Sequence, residues 1–143
     1  MLFTIGYEGK SIDEFKQVLL DNDIGLLLDV RESGRSRKPY FSNGKLREQV
    51  TSAGLGYAHM RALGSPREIR NRLYDTLDYE TFFKDYRNYL KTLNGDLSKV
   101  AGVVYSKRVC LMCYEADAKK CHRNILAEEI KKIGGNGLEI THL

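Results

Sequence analysis

The stretch from Val109 to Ile133, VCLMCYEADAKKCHRNILAEEIKKI, constrains the fold more than any other part of the chain. Val109, Leu111 and Met112 suit a mostly buried strand. After a polar linker, Ile125, Leu126, Ile130 and Ile133 recur on one helical face until Gly134 and Gly135 end the run. A strand that hands over to a helix in this way is part of a parallel α/β unit. In such sheets ligands bind beyond the carboxyl ends of the strands, and that is where this stretch gathers two cysteines, a histidine, a glutamate and an arginine.

The rest of the chain repeats the alternation. Leu2 to Tyr7 reads as a strand, and Ser11 with Glu14 forms a capping-box signature before a helix with Ile12, Phe15, Val18 and Leu19 on its apolar face. Ile24 to Val30 contains Leu26, Leu27 and Leu28, apolar on both faces as an interior parallel strand requires. Glu32 to Ser42 is a polar loop carrying Arg35, Arg37 and Lys38. A short helix through Leu46 and Val50 follows, then a strand from Tyr57 to Met60 and a turn in which Ser65 is the N-cap and Pro66 the first helical residue. Phe82, Phe83, Tyr86, Leu90 and Leu93 mark a helix begun by Asp78 and closed by Asn94 and Gly95; its aromatic stripe is read as core packing rather than a stacking platform. Leu97, Val100 and Val104 mark another helical piece, and Leu138 to His142 a last strand. The expectation is an α/β fold, a single domain over residues 1–143, with a mostly parallel sheet and helices on both faces.

Composition bounds the function classes. The chain has 143 residues, a hydrophobic fraction of 42% and a charged fraction of 29%, ordinary values for a globular protein with a real core. Leu2 to Ile5 runs soon into Asp13 and Glu14, which is the pattern neither of an export leader nor of a membrane span, so the expected location is cytoplasmic. Three cysteines, at 110, 113 and 121, are an odd number and argue against a secreted disulfide framework. A net charge of +4 fits an anionic ligand but falls short of the excess that would by itself indicate nucleic acid.

The chemistry-bearing residues follow from strand exits: Gly6 and Tyr7, Arg31 with the loop holding Arg35, Ser36 and Arg37, His59 with Arg61, and Cys113 with Glu115. Arg31, Arg35, Arg37 and Arg123 supply planar bidentate donors for phosphate or carboxylate. For Arg31 the competing role is an ion pair with Asp29 or Glu115, and for Arg35 and Arg37 a solvated loop. Glu115 can serve as general acid or base, and His122 can move protons near neutral pH. Asp117 is read as the cap of the last helix, which puts Cys121 early in that helix, where the dipole and neighbouring Lys120, His122 and Arg123 favour thiolate. Cys113 and Cys121 are expected to approach closely enough for a reversible disulfide, with Cys110 on the other face staying reduced; the competing role for all three is inert packing. A zinc ion shared by Cys110 and Cys113 is disfavoured, because residues three apart on a strand point to opposite faces, and no metal is expected. A phosphatase-type thiolate loop is excluded by the sequence after Cys113, which has neither glycines nor a nearby arginine and carries two acids.

These motifs resemble the domain of unknown function 488 family over nearly the whole chain: TIGYEG from Thr4, DVR at Asp29 to Arg31, RSRKPYF at Arg35 to Phe41, LGSP from Leu63, CYEAD from Cys113 and CHR from Cys121. The resemblance implies that Gly6, Asp29, Arg31, Ser36, Arg37, Phe41, Leu63, Gly64, Cys113, Glu115, Cys121, His122 and Arg123 are shared positions. It departs at Ser33-Gly34, where many relatives have an aromatic and a proline, and at Ala118, where many have proline. It implies no reaction. The residues themselves favour an enzyme acting on a small anionic or nucleotide-like substrate at the carboxyl edge of the sheet, with Cys113, Glu115, Cys121 and His122 carrying chemistry and Gly6, Tyr7, Arg31, Arg35, Ser36, Arg37 and Arg123 holding the ligand. The alternative is a non-catalytic module that binds nucleic acid or nucleotide through the loop from Arg35 to Lys38.

Overall fold

The computed structural model describes residues 1–135 and 137–143. In chain order the elements are β1 (Leu2–Gly6), α1 (Ile12–Asp21), β2 (Leu26–Asp29), α2 (Asn43–Ser52), β3 (Gly56–His59), α3 (Arg67–Thr76), α4 (Tyr79–Leu90), α5 (Asn94–Ser106), β4 (Val109–Cys113), α6 (His122–Gly134) and β5 (Ile140–His142). The five strands form one sheet in the order β3-β2-β4-β1-β5, and every pairing is parallel. The architecture is therefore the α/β arrangement that the alternating pattern predicts.

Strand side chains divide by period two between the faces. Leu2, Leu28, Val109 and Leu111 pack with Tyr86, Leu90, Val100, Val104, Leu126 and Ile130, so α4, α5 and α6 cover one face. Phe3, Ile5, Leu27, Cys110 and Met112 pack with Phe15, Leu19, Leu46 and Val50, so α1 and α2 cover the other. β1 and β2 send the chain into helices of this second face. β4 lies between them and sends it to α6 on the first. Loops part above the end of β4, which is the condition for a crevice there. Register brings the ends level: Gly6 pairs with Cys113, and Asp29 with both Met112 and His59.

Local chemistry explains several boundaries and moves others. Ser11 and Glu14 make the reciprocal capping box at α1. Pro66 is the N-cap of α3, one residue later than expected, and Ser65 is simply buried. Asp78 caps α4 as expected, but Asn94 and Gly95 do not end it. A 3-10 turn at Lys91–Leu93 bends the chain, and those two residues open α5. Ile133 extends the α6 pattern yet is 44% exposed, because the apolar face of that helix ends at Ile130. Among the described residues no helix is long and apolar enough to cross a membrane.

Leu111 and Ile133 give a direct check on which face is buried. Leu111 is fully buried in the central strand, so Leu111→Ala is expected to lower unfolding free energy by about 2–5 kcal/mol in urea titrations, whereas Ile133→Ala should change it by less than about 1 kcal/mol. Equal losses at both positions would contradict the packing described here.

Candidate functional site at the carboxyl edge of the sheet

The floor of the site is the end of β4. Cys110 and Cys113 lie three apart on this strand and so face opposite sides. Cys110 packs fully buried on the side of α1 and α2, where burial pushes its thiol pKa far up. Cys113 faces α6. Asp117 caps a 3-10 turn at Ala118–Lys120 rather than α6 itself, and this turn carries the chain back so that Cys121, in extended conformation, becomes the N-cap of α6. The turn brings the two sulfurs together. Cys113 and Cys121 are joined in a disulfide with Cα atoms 7.5 Å apart, while Cys110 is free.

Arg123, the second residue of α6 and fully buried, organises the loop between the cysteines. Its Nε donates to Thr4 Oγ1 at 3.2 Å, Nη1 to Cys113 Sγ at 3.1 Å and to the Glu115 carbonyl, and Nη2 to the Ala116 carbonyl at 3.2 Å. Burial lowers its pKa, an effect opposed by the charge of Glu115. These donors are spent on the protein. The Glu115 carbonyl sits so close to β1 that a Cβ at Gly6 would collide with it, which is why the strand ends in glycine. The Glu115 carboxylate turns the other way, with Oε2 3.6 Å from Cys113 Sγ, and burial raises its pKa.

His122 is buried at the first position of α6, edge-on to Tyr86. Its Nε2 lies 2.8 Å from the Val30 carbonyl. A carbonyl only accepts, so Nε2 carries the proton and Nδ1 presents a lone pair 3.7 Å from Cys121 Sγ. Burial holds its pKa down to about 4. Cys113, Cys121 and His122 thus bring three donor atoms of metal-ligand type within 4.8 Å of one another. Cys110, which faces away from Cys113 and so cannot share an ion with it, is not in this group.

Arg31 takes the ion-pairing role that the sequence left open. Its Nε and Nη2 donate to the two oxygens of the fully buried Asp29 at 2.8 and 2.7 Å, and Nη1 to the Phe41 carbonyl at 2.7 Å. Burial would lower the guanidinium pKa, but the Asp29 hydrogen bonds and charge raise it above its usual value. Tyr57 donates to Asp29 Oδ2 at 2.6 Å, and His59 Nε2 meets the Arg31 carbonyl at 2.8 Å. Tyr7 stacks on Phe41 with ring centroids 4.6 Å apart and donates to Ser36 Oγ at 3.3 Å. Ser36 and Ser42 clasp the loop through two 3.0 Å bonds, and Lys38 Nζ donates to the Tyr7 carbonyl at 2.9 Å.

Above this floor lies a cleft of about 310 Å³ whose lining includes Tyr7, Arg31, Glu32, Arg35, Arg70, Cys113, Glu115, Lys120 and His122, and also Tyr74, Tyr79 and Phe82. The structure thus brings Tyr7, Arg31, Arg35, Cys113, Glu115 and His122 to one cavity. Gly6, Ser36, Cys121 and Arg123 support its floor and rim. Arg37 is exposed and does not line it. Arg70 and Lys120 were not among the expected ligand-binding residues. Nothing in the spacing of α3 separates Arg70 from Arg67 or Arg72, and only its approach to Glu32, at 3.3 Å, brings it to the cleft. Arg35 and Lys120 take part in no salt bridge among the described residues.

Residues 11–130 match the family model described as Domain of unknown function DUF488, so the chain belongs to that family. No curated protein and no solved structure matches it.

The buried histidine predicts a pH dependence for the disulfide form. Its folded pKa of about 4 lies below the ordinary 6.5, so the unfolded chain binds the proton more readily between the two values. Stability from this group is complete above pH 6.5 and is lost as pH falls toward 4, by roughly 3 kcal/mol at 1.36 kcal/mol per pKa unit. His122→Gln removes the titrating group, so its urea midpoint should fall less than that of the wild type between these limits. Parallel losses would show that other groups set the acid response.

Proposed function

We propose that this DUF488 protein is an enzyme that binds a small anionic, nucleotide-like substrate in the cleft and works on it with the sulfur of Cys113 and the carboxyl group of Glu115. What carries the reading is the meeting of two kinds of chemistry in one cavity: a sulfur 3.6 Å from a carboxylate whose pKa is raised by burial, and the exposed cations Arg35 and Lys120. The volume of about 310 Å³ falls within the range of small-molecule sites, roughly 300–1,000 Å³.

The roles follow from what each group already does. Arg31 is neutralised by Asp29 and Arg70 is shared with Glu32, so Arg35 and Lys120 supply the attraction for the anion. Arg31 and Tyr7 shape the wall they stand in. Tyr74 and the half-buried Tyr79 offer ring surface to a base or similar ring. With the thiols reduced, Arg123 Nη1 donates to Cys113 Sγ and favours its thiolate, and Glu115 transfers a proton to or from the bound substrate. The reading sets the protein in a reducing cytoplasm, where the thiol form is the resting one.

A second reading has one observation in its favour. Arg35 and Arg37 are both exposed on the same loop, as a nucleic-acid-binding module would require, although Lys38 is tied to the Tyr7 carbonyl. Ionic strength separates the two, since release of counterions makes nucleic-acid affinity fall steeply with salt.

A thermal-shift screen of the reduced protein against nucleotides, sugar phosphates and inorganic phosphate should find a ligand that raises the melting temperature. Arg35→Ala combined with Lys120→Ala should then weaken binding roughly tenfold or more, as expected on losing hydrogen bonds from charged groups, while Arg37→Ala changes little. A steep salt dependence with loss on Arg37→Ala would favour the nucleic-acid module. No shift with any anionic compound would count against both.

A further inference from the structure

The disulfide state explains how the sulfurs meet but not why His122 aims a lone pair at them. A disulfide needs no third donor. The Cα separation of 7.5 Å between Cys113 and Cys121 is also wider than the usual disulfide range of about 4.4–6.8 Å. A shared ion accounts for both features. Two thiolates about 2.3 Å from one tetrahedral zinc stand roughly 3.8 Å apart, and a thiolate and an imidazole nitrogen on the same ion roughly 3.6 Å apart. Cys121 Sγ and His122 Nδ1 are already 3.7 Å apart, and all three donor atoms lie within 4.8 Å of one another.

We infer that, when both thiols are reduced, Cys113 Sγ, Cys121 Sγ and His122 Nδ1 bind one zinc ion at the floor of the cleft, with the fourth position open to it. This rests on the reading of the cleft as a substrate site, in which the Cys113 sulfur then acts as a ligand of the ion rather than alone.

The surroundings suit such an ion. Two thiolates and a neutral imidazole balance the charge of Zn²⁺, so a neutral unit is buried rather than an ion. The bond from His122 Nε2 to the Val30 carbonyl fixes the tautomer and ring plane, as outer partners of metal-bound histidines do. Arg123 Nη1 donates to Cys113 Sγ from outside the coordination group. Three protein donors make an incomplete tetrahedron, the pattern of a zinc site that keeps a position for water or substrate. Cys113 and His122 both line the cleft, which puts that position on its side. Thiolate and imidazole donors favour zinc over magnesium or calcium, which take oxygen ligands.

The disulfide is then the metal-free oxidised form of the same site. Hydrogen peroxide, as the oxidant, takes two electrons from the two zinc-bound thiolates and two protons from solvent to leave two water molecules. The sulfurs join to each other, and Zn²⁺ leaves.

The test uses the full chain without any substrate, so its outcome is independent of what the cleft binds. Reduced, metal-free protein is mixed with zinc, freed of excess by gel filtration and analysed for metal. One zinc per chain is expected for the wild type and for Cys110→Ala, with loss for Cys121→Ser and His122→Gln. Cobalt in place of zinc should give intense thiolate-to-metal charge-transfer absorption. Should the variants fail to fold, the wild type still decides: zinc must shield Cys113 and Cys121 from alkylation, and peroxide must release it as the disulfide forms. No stoichiometric zinc on the reduced wild type, or zinc that stays after the disulfide has formed, would overturn the inference.

Discussion

A fully buried guanidinium, that of Arg123, is the interaction on which the geometry of the edge depends. Leaving such a charge unpaired inside the protein costs several kcal/mol, on the order of 3–5 when one partner of a buried pair is removed. The chain answers by wrapping the loop after β4 around it: the carbonyls of Glu115 and Ala116, the sulfur of Cys113 and the hydroxyl of Thr4 all accept from this one side chain. That wrapping decides where the Glu115 side chain points and where Cys113 can meet the start of α6. It also presses the Glu115 carbonyl onto β1 and so requires glycine at position 6. Strand β1, the loop and helix α6 are held as one unit by a residue that itself never reaches the cleft.

The Asp29–Arg31 pair does the same for the other wall. Asp29 is fully buried and accepts from Arg31 and Tyr57, and Arg31 extends to the Phe41 carbonyl at the far end of the arginine loop. Two of the edge's arginines are therefore framework, and among the described residues the cleft-lining cations outside any salt bridge with an acid are Arg35 and Lys120. An edge that looks strongly cationic in sequence is much less so in three dimensions, because its acids are interleaved with its bases.

That difference marks what the sequence made legible. Period-two and period-3.6 patterns identify every strand and the parallel sheet, since Leu26 to Leu28 and Val109 to Met112 are apolar enough to be buried on both faces. The same alternation brings the strand ends together and separates Cys110 from Cys113. The limits of the reading lie where a local rule has two outcomes. Asn94-Gly95 can stop one helix or start another, and the tight 3-10 turn before it selected the second. Asp117 capped a short turn instead of α6, which moved Cys121 from inside the helix to its N-cap. The role of each arginine depends on partners far away in the chain, so burial of Arg123 and the arrival of Arg70 had no local signature. His122 was legible as a titrating residue, but its orientation is set by a carbonyl 92 positions earlier, at Val30.

Arg123 holds the loop from Tyr114 to Cys121 in the shape that makes the site. Hydrogen exchange on Arg123→Lys measures this most directly, because lysine keeps the charge but cannot reach four acceptors from one planar group. Faster exchange is expected only at amides of that loop and the first turn of α6, with β2 and β3 as protected as in the wild type. Unchanged protection of the loop in a folded variant would contradict it.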